Sequence, residues 1–437
     1  MKREADEYRS SGMGRGGDMG DDVDDHIGRI RLGRQIFRSF KNPVYRLYYG
    51  AMVGQWAPMN MQMMARSLLI YRLSGSAAIL GAMSFANAVP LLSLALFGGV
   101  IADRVQKKYV LLVGQVASAV VSLGVALTMT LGYLSAERAG SWWILVVASV
   151  FQGTIMALMM PSRHAILPEI VGEEQLMNAV SLSMLGMNAV RFLTPALTGF
   201  LIDVFDFQAV YYAMTGLYLM SVVFMVFMPL TGTITIRGRG ALADIKEGFK
   251  YLRHEAILLL ILLFTLITIV LSMPYMFLMP VFTEDVLKVG ATGMGLLISV
   301  SGIGAITGSI ILASLPNKKR GLMLLASGAI LGLVLAGFAS SSSWYLSLGL
   351  IAFVGLGQTS RMTLGNTLLQ YYVEDEYRGR VMSLYMMEFG LTSFGTFAAG
   401  VLAESIGVQW AVGGFAMVLF FVSVLTLVFV PRLRRLD

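Results

Sequence analysis

Gly99-Val-Ile-Ala-Asp103-Arg104-Val-Gln106-Lys107-Lys108 is a short charged turn between two long apolar runs, near 77–102 and 109–134. A charge where an apolar helix leaves hydrocarbon is costly unless paired, so Asp103 is expected to have a partner. Gly99, four residues earlier, permits close backbone approach. The plainer alternative is an ordinary turn carrying stop-transfer cations. Apolar runs recur on both sides of this stretch. They fall near 44–71, 77–102, 109–134, 142–160, 178–202 and 208–230, then near 255–283, 290–315, 321–340, 344–372, 381–403 and 408–430. About twenty apolar residues suffice to cross a bilayer. The expected fold class is therefore an all-α membrane protein with twelve transmembrane helices in two six-helix bundles.

Composition agrees with a membrane solvent. The 437 residues are 56% hydrophobic and 14% charged, far from the balance of a soluble domain. The polar first forty residues do not resemble a cleavable signal peptide. There are no cysteines, which excludes thiolate chemistry, and the three histidines fall outside the apolar runs. The net charge of +7 is dispersed among loops, which argues against a nucleic-acid partner. No phosphate-binding loop, metal-binding His-Glu set or nucleophile constellation is found in the polar segments. Neither an enzyme nor a cofactor or metal is expected.

Charge sets the orientation. With both termini inside, 27 of the 33 Lys and Arg fall on the cytoplasmic side, and Arg72, Arg138 and Lys288 fall outside. Arg66, Arg191 and Arg361 remain within spans. The expected organisation is a cytoplasmic tail over 1–43, bundles over 44–230 and 255–431, a cytoplasmic linker over 231–254 and a basic tail over 432–437. The first tail divides into an acidic, Gly-rich part, expected to be disordered, and Ile27–Lys41. That second part is either a positive-inside anchor or an amphipathic helix on anionic lipid. Gln152 to Leu182 and Gln358 to Leu384 echo one another: each runs from a polar mid-span residue through a charged turn to a Ser-Leu pair. Such an echo accords with an internal duplication.

The opening stretch resembles the cytoplasmic loop motif Gly-x-x-x-Asp-Arg-x-Gly-Arg/Lys-Arg/Lys of the major facilitator superfamily, with Gln106 in place of the second glycine. Two further stretches carry the likeness: Pro161-Ser-Arg-His-Ala-Ile-Leu-Pro168-Glu169, and Asn366 to Gln370 followed by Asp375-Glu-Tyr-Arg378-Gly-Arg380-Val-Met-Ser383. Together they resemble the drug:proton antiporter branch that includes macrolide efflux proteins and the enterobactin exporter. The resemblance implies that Asp103 binds the N-terminus of the eleventh helix and a nearby Arg378 or Arg380. Gly99, Arg104, Lys107 and Lys108 complete the gating motif. It also implies a cavity lined by the first, fourth, seventh and tenth spans. Two departures weaken a carry-over of antiport. The fifth-span motif is reduced to Val190-x-x-x-Thr194-Pro195-x-x-Thr198-Gly199, and the matching second-half loop, Asn317-Lys-Lys-Arg320, lacks the Asp-Arg pair.

Polar and methionine residues recur at helical spacing on those four spans. They are Gln55, Met59, Asn60, Gln62 and Met63, then Gln152 and Met156, then Thr265, Thr268, Ser272 and Tyr275, then Gln358 and Arg361. They serve either as helix-to-helix hydrogen bonds or as the lining of a wet cavity; four stripes on the four implied spans favour the cavity. Methionine clustered at 59, 61, 63 and 64 suits adaptable apolar recognition better than copper(I) export, since no Cys or His supports a metal site. Glu388 is the one acid deep in a span. Arg361 and Glu388 stand at similar depth on neighbouring helices and are expected to pair, either as a structural salt bridge or with Glu388 as a proton-coupling acid. Arg191 has three readings: it binds an anionic substrate group, reaches Glu388 across the cavity, or shelters against carbonyls. Arg66 is expected to snorkel to the outer surface.

These readings converge on a monomeric, multi-pass protein of a bacterial-type inner membrane that exports amphipathic small molecules, drug-like or siderophore-like. Protons are the expected coupling ion, and lipids the expected surroundings. The competing readings are a lysophospholipid flippase or importer of the same fold and, from another class, a non-transporting membrane sensor or scaffold.

Overall fold

The computed structural model describes residues 37–230, 241–316 and 318–437, excluding the side chains of 95–103, 164 and 241–246. The readings of the first tail up to residue 36, and of the side chains of Gly99 and Asp103, therefore lie outside the described residues. The described residues form helices and connecting turns, without a strand.

Helix α1 runs Pro43–Ser74, α2 Ala77–Arg104, α3 Lys107–Thr130 and α4 Trp143–Phe227. After α5 (Ala241–Leu252) come α6 (Ala256–Ser272), short turns through residue 286, α7 (Gly290–Ser314) and α8 (Arg320–Ser340). Last are α9 (Trp344–Tyr372), α10 (Arg378–Ile406) and α11 (Val408–Phe429). Local chemistry sets several boundaries. Asn42 caps α1, its side chain accepting from the Val44 and Tyr45 N–H groups, and Pro43 takes the first helical position, where no N–H is needed. Gly75 at φ 62° ends the helix in the left-handed conformation that glycine adopts freely.

The 85 residues of α4 do not make one rod. Backbone at Gly172 (φ 69°) and Asp206 (φ 70°) is non-helical, which divides α4 into α4a (143–171), α4b (173–205) and α4c (207–227). The Asp206 carboxylate accepts from the Phe207 N–H at 2.6 Å and restarts the chain after the second break. Eight helices among the described residues are long and apolar enough to cross a membrane, counting the whole of α4 as one. α1 and α9 are not in that set. Their interiors carry Gln55, Asn60, Gln62 and Arg66, or Gln358 and Arg361, and these polar groups lower the mean hydropathy of each helix.

The first and second parts of the chain meet along two close crossings. At one, α4b lies against α7: a Cβ on Gly199 would stand 2.3 Å from the Ala291 carbonyl oxygen, and one on Gly295 2.3 Å from that of Pro195. At the other, α2 lies against α10, where the Ser84 hydroxyl donates to the Ser393 carbonyl at 3.2 Å and Ser393 returns the contact to Ser84 at 3.3 Å. Small residues permit both approaches. The glycines of α7 face two helices: Gly295 faces Pro195 on α4b, while Gly304 and Gly308 face Ala352 and Leu356 on α9.

Candidate substrate cavity and gates

A cavity of about 250 Å³ opens between the two parts. The expected face of α1 supplies Met59, Asn60, Gln62 and Met63, and α4a supplies Gln152 and Met156. The remaining wall comes from elsewhere: Ser84, Asn87, Ala88 and Leu91 on α2, Phe277 after α6, and Phe389, Gly390, Thr392 and Ser393 on α10. The cavity is lined by methionine, aromatic and short polar groups, with no acid in its wall among the described residues.

Arg66 also lines this cavity, so the expectation that it snorkels to the surface is corrected. Its position places it on the same helical face as Met59, Gln62 and Met63. Its Nη1 donates to the Ser149 hydroxyl on α4a at 3.0 Å, which holds the side chain inward. No pattern in the sequence marks Ser149 as its partner.

The other expected cavity residues have different places. Gln55 is buried, and among the described residues its Oε1 has no hydrogen-bond partner. Arg191 is exposed on α4b, close enough to Tyr275 for an electrostatic interaction, and is not among the cavity-lining residues. Thr265, Thr268, Ser272 and Gln358 are drawn into a separate polar cluster around Arg361 and Glu388. Tyr275 is buried among apolar side chains, packing on Phe338 with ring centroids 6.4 Å apart.

That cluster lacks the expected direct pair. No Arg361 nitrogen comes within 4.0 Å of a Glu388 carboxylate oxygen. The two groups are instead joined through threonines of α6. Thr265 Oγ1 donates to Glu388 Oε1 at 2.8 Å, Thr268 Oγ1 donates to the Thr265 carbonyl at 2.9 Å, and Arg361 Nη1 reaches Thr268 Oγ1 at 3.5 Å. Arg361 Nε and Nη2 share Gln358 Oε1 at 3.4 Å, and Gln358 Nε2 donates to Ser272 at 3.1 Å. Arg361 is 1% exposed and Glu388 3% exposed, and among the described residues Glu388 Oε2 has no hydrogen-bond partner. Residue counting gives the two groups equal depth, but Glu388 meets α6 at Thr265 and Arg361 meets it at Thr268, about one turn further along.

The two rims of the bundle differ. At the rim bearing Arg72, contacts join the two parts of the chain. Arg72 pairs with Glu284 at 2.8 Å, and Tyr71 donates to Asp285. Asp203, near the end of α4b, accepts from the Thr292 N–H of α7 at 2.8 Å. Glu404, near the end of α10, accepts from the Ser76 hydroxyl at 3.0 Å and the Ala78 N–H of α2 at 3.2 Å. Each of these last two acids meets the N-terminal turn of a helix from the other part, where a negative charge is favoured.

At the rim bearing Lys107, the described contacts stay closer to home. Lys107 pairs with Glu169 at 2.6 Å, and Lys108 donates to the Val226 carbonyl at 3.0 Å, all within the first part. Arg378 pairs with Asp375 at 2.5 Å, and Arg380 with Glu247 of α5 at 3.2 Å. Arg104 is exposed. The implied partnership of Asp103 with Arg378 or Arg380 lies outside the described residues.

The fold is a helical bundle with a polar cavity at the meeting of its two parts and charged contacts at its rims. The family model described as Major Facilitator Superfamily matches residues 49–391 and 317–437, and the chain belongs to that superfamily. It is a multi-pass protein of the bacterial-type inner membrane. It is similar to the staphyloferrin A transporter of Staphylococcus aureus, at 23% identity over 76% of this chain and 83% of that one. It is also similar to macrolide efflux protein A of Streptococcus pyogenes, at 25% identity over 85% and 92% of the two chains. Among solved structures, a bacterial homologue of the human lysosomal transporter Spinster, inward-facing and occupied, superposes with a TM-score of 0.70 at 10% identity. That match covers 91% of this chain and 99% of the other, and it speaks to fold alone.

Proposed function

We propose that this chain is a secondary active transporter that exports amphipathic or hydrophobic small molecules by alternating access, with protons as the coupling ion. The observation that carries the reading is the cavity shared by α1, α2, α4a and α10, above which the Arg72 rim is tied shut between the two parts. A closed rim over a central site is one of the states an alternating-access cycle requires. Methionine and aromatic walls with scattered hydroxyl and amide groups suit an amphipathic cargo. The names of the two relatives, a staphyloferrin A transporter and a macrolide efflux protein, support a small-molecule cargo, and the second supports outward movement.

Counting α4 as three spans and adding α1 and α9 supports twelve spans in two bundles, 44–230 and 255–431. The distribution of Lys and Arg supports cytoplasmic termini, which sets the Arg72 rim outside and the Lys107 rim inside. The Lys107–Glu169 and Arg380–Glu247 pairs then belong to the cytoplasmic gate with Gly99, Asp103, Arg104, Lys108 and Arg378.

Glu388 is the coupling acid in this reading. It is buried, it has one oxygen held by Thr265, and its other oxygen is open to a proton or a new donor. Arg361 reaches it through the α6 threonines, so a small rotation of α6 changes how strongly the two charges interact. The test is efflux from proteoliposomes under an imposed pH gradient. Glu388→Gln, at normal expression and folding, is expected to lose at least about tenfold of the gradient-driven rate, as removal of a proton-transfer group does. An unchanged pH dependence in that variant would remove Glu388 from the mechanism.

A further inference from the structure

The charge balance of the cavity carries an inference that rests on this transport reading and narrows its substrate. A guanidinium within a membrane-spanning bundle, buried like Arg361 or partly buried like Arg66, keeps its proton, so it needs an anion, a hydrogen-bond shell or water to offset the loss of solvent. Arg361 has Glu388 in the same polar cluster. Arg66 has no comparable partner: among the described residues, no carboxylate lies within 4.0 Å of it, and the groups acting on it electrostatically are the phenols of Tyr211 and Tyr218.

Ser149 fixes the Arg66 side chain but does not satisfy it. The Ser149 hydroxyl is fully buried and donates to the Leu145 carbonyl at 2.6 Å, so it meets Arg66 as an acceptor at Nη1. Among the described residues, the remaining N–H donors of the fork meet no protein acceptor. They belong to a residue in the wall of a cavity that, among the described residues, contains no acid. On the same face of α1, Met59 and Met63 offer an apolar surface, and Phe277 and Phe389 add aromatic walls.

We propose that Arg66 is the substrate-recognition residue of the cavity and that it binds the carboxylate, or a chemically similar oxyanion, of an amphipathic organic anion. A planar fork suits two carboxylate oxygens, and the methionines and aromatics receive the apolar body. Neutral compounds of the same shape lose the charge-assisted contacts, and cations meet a like charge.

Three probes of one shape separate these outcomes: naphthoate, naphthalenemethanol and naphthalenemethylamine, titrated calorimetrically into the full-length protein in nanodiscs. The wild type is expected to bind the carboxylate about 10- to 100-fold more tightly than the alcohol, the range for hydrogen bonds to a charged group, and the amine more weakly still. Arg66→Gln erases the preference for the carboxylate, and Arg66→Lys keeps part of it. Gln62→Glu supplies a carboxylate one turn before Arg66 on the same face, in the favourable order for an ion pair. That variant is expected to lose the preference while the protein remains at least as thermally stable, which keeps the test decisive if Arg66→Gln does not fold.

Equal binding of the three probes, no binding of the carboxylate, or a preference that survives both Arg66→Gln and Gln62→Glu overturns the proposal. Flux of the same probes from proteoliposomes separates this failure from failure of the transport reading. Transport without a carboxylate preference removes Arg66 alone, whereas an Arg66-dependent preference in binding without any flux removes the exporter.

Discussion

Among the described residues, the acids at the two rims of this molecule are used to different ends. At the Arg72 rim, Glu284, Asp203 and Glu404 all reach from one part of the chain to the other. At the Lys107 rim, Glu169 and Asp375 pair within their own part, and Glu247 pairs from the connecting helix α5. Contacts between the parts bias an opening equilibrium, because they are broken when the rim opens. Contacts within a part persist through the motion and bias nothing. The Arg72 rim is further organised by repetition: an acid near the end of α4b meets the start of α7, and one near the end of α10 meets the start of α2. This matching arrangement accords with two related halves, each contributing the same device to one latch.

The comparison breaks most readily at the close crossing behind the latch. Gly199→Leu or Gly295→Leu sets a side chain where a Cβ alone would stand 2.3 Å from a backbone oxygen of the facing helix. Overpacking of this kind costs about 1–3 kcal/mol, and opening of the rim relieves it. The chain has no cysteine, so a single Met63→Cys in the cavity gives an unambiguous labelling site. Either glycine variant is expected to raise labelling of that site by an impermeant maleimide, applied from the Arg72 side, by about tenfold or more. Unchanged labelling in correctly folded protein would show that the crossing is not part of the gate.

A smaller effect is expected from the latch acids themselves. Neutralising both in Asp203→Asn/Glu404→Gln removes two charge-to-helix contacts, each contributing about 0.3–1 kcal/mol at an exposed terminus. The same labelling is then expected to rise about 3- to 30-fold. Glu169→Gln breaks a pair that stays within one part, and it should leave labelling from the Arg72 side within about twofold. If Glu169→Gln matched the double variant, the distinction between the two rims would be lost.

The all-helical membrane fold was legible in the sequence, because apolar run length reports directly on membrane crossing. The α1 stripe of Met59, Asn60, Gln62 and Met63, together with Gln152 and Met156, was legible from helical spacing and lines the cavity. Arg66 follows that stripe by one more step of three residues, yet its proximity to the helix end pointed to the surface. Face mattered more than depth there, and the buried acceptor Ser149 stands 83 positions away. Ser84, Asn87, Thr392 and Ser393 were missed because short polar residues on α2 and α10 carry no periodic signal of their own. They become cavity wall only when those helices cross. Arg361 and Glu388 show the converse limit, since counting residues from a turn did not anticipate that they meet α6 about one turn apart, at Thr268 and Thr265.

The smallest expected effect is at the most visible contact. Arg72 and Glu284 make an ion pair at 2.8 Å, but their side chains are 35% and 25% exposed. Water and salt screen such a pair, and exposed pairs contribute about 0–1 kcal/mol. Arg72 also lies over the Phe207 ring at 5.4 Å, a contact that a change of charge alone would weaken and that salt would screen less. Arg72→Gln is therefore expected to change labelling of the introduced thiol in the Met63→Cys background by less than about fivefold, and part of that change should disappear at high salt. A larger, salt-insensitive effect would move the weight of the latch from the helix-terminal acids to Arg72 and its aromatic neighbour.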